Sequence, residues 1–198
     1  MTRGRRPTEL VRQEVLAAAG ELLFEVGMAG FTIEAVAARC GASKMTIYKL
    51  WPSKGALALE GYFATVESTL RFPDTGDIQA DLTTQLLSFV RLLRDTPAGR
   101  VIAELIGQAQ LDPDLKTAFL RSYSGPRRAL AVERLELGRT LGQLRDDLDP
   151  ESVIDQLWGA CYHRLLIPDG DERAPVDDDD GLLRAVGMAR QPAAGIDF

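Results

Sequence analysis

The spacing of the apolar residues limits this chain more than any other feature. Val11, Val15, Ala18, Ala19, Leu22 and Val26 recur at intervals of three and four, while Arg12, Glu14, Glu21 and Glu25 take the positions between. That is the repeat of a helix with one apolar face. Pro7-Thr8-Glu9 opens this helix, with the acidic Glu9 near the positive end of the dipole, and Gly27 closes it. Phe31 staples a second helix, which Thr32 caps and whose apolar face is Ile33, Val36 and Ala37. Gly41 breaks it. Ser43 caps a third, short helix that runs to about Leu50, where Pro52-Ser53 stops it, and Ser53 caps a fourth from Lys54 towards Leu70.

Beyond "RFPDTGD" no stretch alternates as a strand would. Leu82, Leu86, Phe89, Val90 and Leu93 mark one helix, and Val101, Ile102, Leu105 and Ile106 another. Leu115, Phe119 and Leu120 mark a third, expected to stop at Gly125-Pro126. Leu130, Val132, Leu135, Leu137 and Leu141 form the next, "GQLRDDLD" is a turn, and Asp149-Pro150-Glu151 starts a helix through Leu157 to Leu165. A last short helix is expected over 181–190. The fold class is therefore all-α: a helix-turn-helix domain over 1–54 and a larger helical body over 55–198.

Charge divides the same way. Residues 1–54 carry eight Lys+Arg against five Glu, a balance of +3, whereas residues 55–198 balance at −9 within a total of −6. An acidic chain with a cationic front is suited to meeting a polyanion with that front. Cys40 and Cys161 are the only cysteines and form no CxxC pair, which excludes a disulfide framework or a cysteine-rich zinc site and suits a reducing cytosol. No apolar segment follows the basic "MTRGRRPTEL" as a secretory signal would require, and no uncharged run reaches the ~18 residues of a membrane span. A cytoplasmic location is expected, with no membrane partner.

The cluster "ASKMTIYKLWPSK" lies at the centre of the cationic segment. Two short helices meeting at Cys40-Gly41-Ala42 have the arrangement in which the second enters the major groove of a duplex and the first crosses its backbone. Lys44 and Lys49 flank the third helix and Lys54 begins the fourth, where ammonium groups neutralise phosphates and release condensed counterions. Thr46 and Tyr48 point polar tips towards the groove, while Ile47 turns inward against Ile33 and Val36. Ser43, Ser53 and Thr32 sit at helix starts, whose N–H groups suit phosphate oxygens. Trp51 reads as a wedge between the third and fourth helices. Arg3, Arg5 and Arg6 precede Pro7 without an apolar anchor, either as an arm for the minor groove or as a solubilising tail.

From Phe31 to Leu57 the order "FTIEAVAARCGASKMTIYKLWPSKGAL" resembles the amino-terminal signature of the tetracycline-repressor (TetR) family of bacterial regulators. The resemblance covers roughly the first sixty residues. It implies phosphate contacts for Thr32, Ser43, Tyr48 and Lys54, and positions near base edges for Lys44, Thr46 and Lys49. Met45 stands in this helix where the family often has glycine or proline, and Leu50 where it often has histidine or tyrosine. It further implies a homodimer on double-stranded DNA, a small-molecule effector bound in the body, and a repressor released by that effector.

Phe89, Phe119, Tyr123, Trp158 and Tyr162 are the effector-binding candidates as a set; taken singly, each reads first as an ordinary core aromatic. The helices at about 127–141 and 151–167 have apolar faces broader than one partner needs and suit pairing with symmetry mates as a four-helix bundle. His163, the only histidine, diverges from Cys161 on a helix, so the two do not readily share a metal ion, and it reads as a packed or interface residue or an effector contact. Asp177 to Asp180 lack calcium-loop spacing and fit a helix start better. No Ser-His-Asp set, phosphate loop or carboxylate pair appears, so neither an enzyme nor a cofactor or metal is expected. The competing reading is a helical adaptor or ligand-binding protein that does not bind DNA specifically.

Overall fold

The computed structural model describes residues 8–167; Arg3, Arg5, Arg6, the acidic run at 177–180 and the short helix expected over 181–190 lie outside them. Among the described residues there is no strand. The helices are α1 (Thr8–Gly30), α2 (Ile33–Cys40), α3 (Lys44–Leu50), α4 (Lys54–Val66), α5 (Ile78–Asp95), α6 (Ala98–Ala109), α7 (Pro113–Phe119), α8 (Gly125–Thr140) and α9 (Pro150–Leu166). None is long and apolar enough to cross a membrane.

The chain forms two compact units. The first comprises the described residues up to Leu70 together with Leu92–Arg127, and the second comprises Arg71–Arg91 with the described residues from Arg128 on. These units do not follow the division expected at residue 54. Within the first, α4 crosses α1 where both have glycine: a Cβ on Gly61 would stand 3.0 Å from Ala19 Cβ and 3.0 Å from the Gly20 nitrogen. Close approach of the two backbones buries Val15, Ala19 and Leu23 of α1 with Leu57, Ala58 and Tyr62 of α4. α6 packs on both helices and α7 on α4, where Leu115 of α7 reaches the Gly55 backbone. The fourth helix is thus built into the front unit, together with two helices distant in sequence.

Gly27 breaks the helical path of α1 as expected, taking φ 65° and ψ −176°, and a short further turn runs to Gly30. The stop expected at Gly125-Pro126 is corrected. The Gly125 N–H donates to Leu120 O, five residues back, closing a π-helical turn over Leu120–Ser124 that leads directly into α8. A proline removes one amide from the ladder and crowds the carbonyl four residues earlier, and widening the preceding turn accommodates both. Glycine fits at 125 because a Cβ there would lie 2.8 Å from Leu120 O.

The second unit is centred on Ile78, Leu82, Ala131, Leu135 and Ile154, flanked by Phe72, Val132, Leu144, Val153 and Trp158. Asp81 is fully buried here. Its carboxylate accepts from the Thr75 N–H (3.2 Å), from Thr75 Oγ1 (2.7 Å) and from the Arg134 guanidinium, which also pairs with Asp74 at 3.0 Å. Gln143 closes the same corner: Oε1 accepts from the Ile78 N–H at 2.8 Å and Nε2 donates to Gly76 O at 2.6 Å.

Candidate nucleic-acid interface

Local chemistry shapes α2 and α3. Thr32 caps α2 by accepting the Ala35 N–H at 3.1 Å, and Gly41 ends it with φ 66°. Ser43 caps α3 by accepting the Thr46 N–H at 3.1 Å, and Ser53 caps α4 by accepting the Ala56 N–H at 3.1 Å. Each cap satisfies one of the open amides of a first turn. Ile47 is fully buried, as are Ile33 and Val36 on α2, so the α3 side chains that point away from this contact are fixed in direction.

The outward side of α3 presents Met45, 81% exposed, Tyr48, 53% exposed, and the exposed Lys44 and Lys49. Thr46 differs from expectation. Its hydroxyl lies 2.9 Å from Ser43 Oγ, so it is engaged within the first turn and half-buried. Trp51 is buried and ends α3, its N–H donating to Ile47 O at 2.8 Å. Its indole N–H donates to Glu60, which also pairs with Arg12, and the Arg12 guanidinium lies 5.2 Å from the Trp51 ring centre. Arg12 and Glu60 are parts of this joint that the sequence did not single out; only the buried tryptophan draws them together.

The charge placement is unusual. α3 begins with Lys44 and α4 with Lys54, and neither has an acidic residue in its first turn. A cation at a helix start opposes the macrodipole, so both positions carry excess positive potential. Lys44 is paired across to Glu34 of α2 at 3.0 Å, which holds the Glu34 carboxyl below its usual range. Lys54 donates to Met28 O at 3.5 Å. Arg39 forms a two-pronged pair with Glu25, at 3.0 and 2.7 Å, which lowers that carboxyl as well.

The five aromatic candidates divide between the units. In the first, Tyr123 stacks on Phe63 at 4.0 Å and meets Phe119 at 5.5 Å, while Tyr62 stacks on Phe24 and touches Phe63 edge-on. In the second, Phe89 meets Tyr162 at 5.4 Å and Trp158 meets Phe72 at 6.2 Å. Burial drives the Tyr62 phenol far above its ordinary range, so it stays neutral, and its hydroxyl has no partner. Both polar atoms of the buried Gln85 amide likewise lack one. Sequence periodicity did not distinguish Tyr62 or Gln85 from neighbours on the same helices. His163 is exposed, and Cys161 is buried with its thiol pushed up to about 11. No group of three His, Cys, Asp or Glu among the described residues is placed to hold a metal ion.

Comparison with known proteins agrees with this arrangement. Residues 15–60 match the description "Bacterial regulatory proteins, tetR family" and residues 72–184 match "Tetracyclin repressor-like, C-terminal domain". The chain is 39% identical over 170 residues to the uncharacterized HTH-type transcriptional regulator YdeS of Bacillus subtilis (strain 168), covering 86% of this chain and 85% of YdeS. It is 29% identical to the DNA-binding transcriptional repressor TetR of Mycobacteroides abscessus, over 85% of this chain and 90% of that one. Among solved structures, the TetR family transcription regulator SCO0332 superposes with a TM-score of 0.79 at 57% identity, covering 89% of this chain and 94% of that chain.

Proposed function

Because this chain belongs to the tetR family of bacterial regulatory proteins and is a DNA-binding transcriptional regulator rather than an enzyme, we propose that it acts as a cytoplasmic, effector-released repressor, a homodimer on an inverted repeat. The observation that carries the DNA contacts is the pair of lysines at the starts of α3 and α4, neither of which has an acidic residue in its own first turn, on either side of the outward Met45 and Tyr48. Lys44, Lys49, Lys54, Thr32, Ser43 and Tyr48 hold phosphates or lie beside base edges, and Thr46 orients the first turn of α3 through Ser43. Met45 suits apolar contact with a thymine methyl. Arg3, Arg5 and Arg6 would follow the adjacent minor groove.

Dimerisation is supported by what α8 and α9 leave uncovered. Leu130 and Leu137 are exposed along α8 and Leu141 just after it, and Gly159, Ala160, His163 and Leu166 along α9. Arg128 bonds Glu151 and Asp155, fixing the two helices as one platform. Two recognition helices about 34 Å apart then read successive major grooves. Effector binding falls to the helical body, with Phe89, Phe119, Tyr123, Trp158 and Tyr162 as candidates. The unpartnered Gln85 amide supports this, since a buried amide lacking both partners is costly until something fills the role.

The test is binding of the purified protein to a labelled duplex spanning the region upstream of its own gene. Tight, salt-sensitive binding weakened by Lys44→Ala and Lys54→Ala supports the reading. If the duplex is bound no better than an unrelated sequence and neither substitution matters, the adaptor reading takes its place.

A further inference from the structure

Lys54 does not stand alone at the start of α4. Its Nζ donates to Met28 O, and the N–H of the same Met28 donates to Oε2 of Glu104 on α6, at 2.6 Å. Met28 is itself buried, so both polar groups of one residue are committed to side chains from two other helices. The joint falls where α1 breaks: Gly27 takes φ 65° and ψ −176°, interrupting the helical path just before this amide. Glu104 is steadied from its other side by Arg100, at 3.1 Å one turn earlier on α6. The space is closed, since a Cβ on Gly27 would stand 2.3 Å from Arg100 Nη1 and 2.9 Å from Glu104 Oε2. A carboxylate accepting a backbone N–H at this length is a charge-assisted bond, among the stronger kinds available.

We propose that Glu104 is a positioning residue for DNA binding: by holding the Met28 peptide from α6, it fixes the carbonyl that holds the Lys54 ammonium where a phosphate can meet it. A lysine has three donors, so the bond to Met28 O orients the group and leaves two for a phosphate. Without the carboxylate, the residue after the break loses its anchor and the lysine samples other directions. The inference rests on the reading of Lys54 as a phosphate contact.

The experiment is a double-mutant cycle on the full chain, using a duplex selected from a random pool by the wild-type protein. Should no duplex be selected, the DNA-binding reading itself fails, independently of Glu104. With a bound duplex in hand, Lys54→Ala is expected to lower the slope of log affinity against log salt by about 0.9, the value for one phosphate. Glu104→Ala should lower it by the same amount and weaken binding about tenfold, the size of one charge-assisted hydrogen bond. In the Lys54→Ala background, Glu104→Ala should add nothing further, as expected of groups acting through each other. Glu104→Gln, which keeps an acceptor in place, should bind close to wild type. Should Glu104→Ala fail to fold, Glu104→Asp, whose carboxylate is drawn back by one methylene, takes its place in the cycle. Additive losses, or an unchanged salt slope for a folded Glu104 variant, would overturn the proposal.

Discussion

Replacing Asp81 by asparagine tests the packing of the second unit. The wild-type carboxylate is fully buried and takes three donors, two from Thr75 and one from Arg134, whose own side chain is 15% exposed. An amide of the same shape can still accept from Thr75, but its NH2 then faces the guanidinium, donor against donor. Arg134 keeps only the exposed Asp74. Removing one partner of a buried pair costs about 3–5 kcal/mol, because the remaining charge stays out of water. Set against a total stability of order 5–15 kcal/mol, that is a large share. With a urea dependence of about 2 kcal/mol per molar, the midpoint should fall by about 1.5–2.5 M. The assay is urea unfolding followed by circular dichroism at one fixed protein concentration, so that any self-association contributes equally to both proteins. Arg134 Nε is already buried without a partner, so the pair is incompletely satisfied. Asp81→Leu with Arg134→Met should therefore come within about 1 kcal/mol of wild type, as apolar replacement of a buried pair often does. A loss under about 1 kcal/mol for Asp81→Asn, or a double variant as unstable as the summed single losses, would refute the reasoning.

Leu137→Glu, on the exposed face of α8, should leave helical content unchanged and shift sedimentation from dimer to monomer at micromolar concentration. Gly41→Ala isolates backbone strain: a Cβ there meets nothing within 4 Å, yet φ is 66°, so thermal unfolding should show a loss of about 1–2 kcal/mol. The Cys161 thiol has its pKa raised by burial to about 11, above its unfolded value of about 9. The unfolded chain therefore ionises first, and stability should be intact below about pH 9 and decline between about pH 9 and 11. Cys161→Ala should lose that decline in a urea-midpoint series across pH.

The helix starts were the most legible part of this chain. Thr32, Ser43, Ser53 and Asp149 each bond an amide three residues on, and that chemistry depends on neighbours within one turn. The inward turn of Ile47 was equally readable, because period and burial coincide on so short a helix. What escaped depends on an unusual local turn or on residues far apart. The join of α7 to α8 was hidden because glycine and proline together ordinarily mark a stop, and only a widened turn lets the helix pass. The burial of Asp81 depends on Arg134, 53 positions away, coming to rest beside it. The turn of the Thr46 hydroxyl back to Ser43 lies within one helical turn, but nothing local indicated that Glu104 would reach Met28 across 76 positions. The aromatic candidates were readable as apolar faces, but their separation into a Phe63–Tyr123 group and a Phe89–Tyr162 group is a matter of tertiary packing.

The burial of Trp51 has a practical use. The chain has two tryptophans, Trp51 at the end of α3 in one unit and Trp158 on α9 in the other. Trp51 sits against a guanidinium and gives its indole hydrogen to a carboxylate, so its emission is sensitive to small displacements of Arg12 and Glu60. With Trp158 changed to phenylalanine, the remaining fluorescence becomes an intrinsic optical gauge of the head, read without attaching a dye.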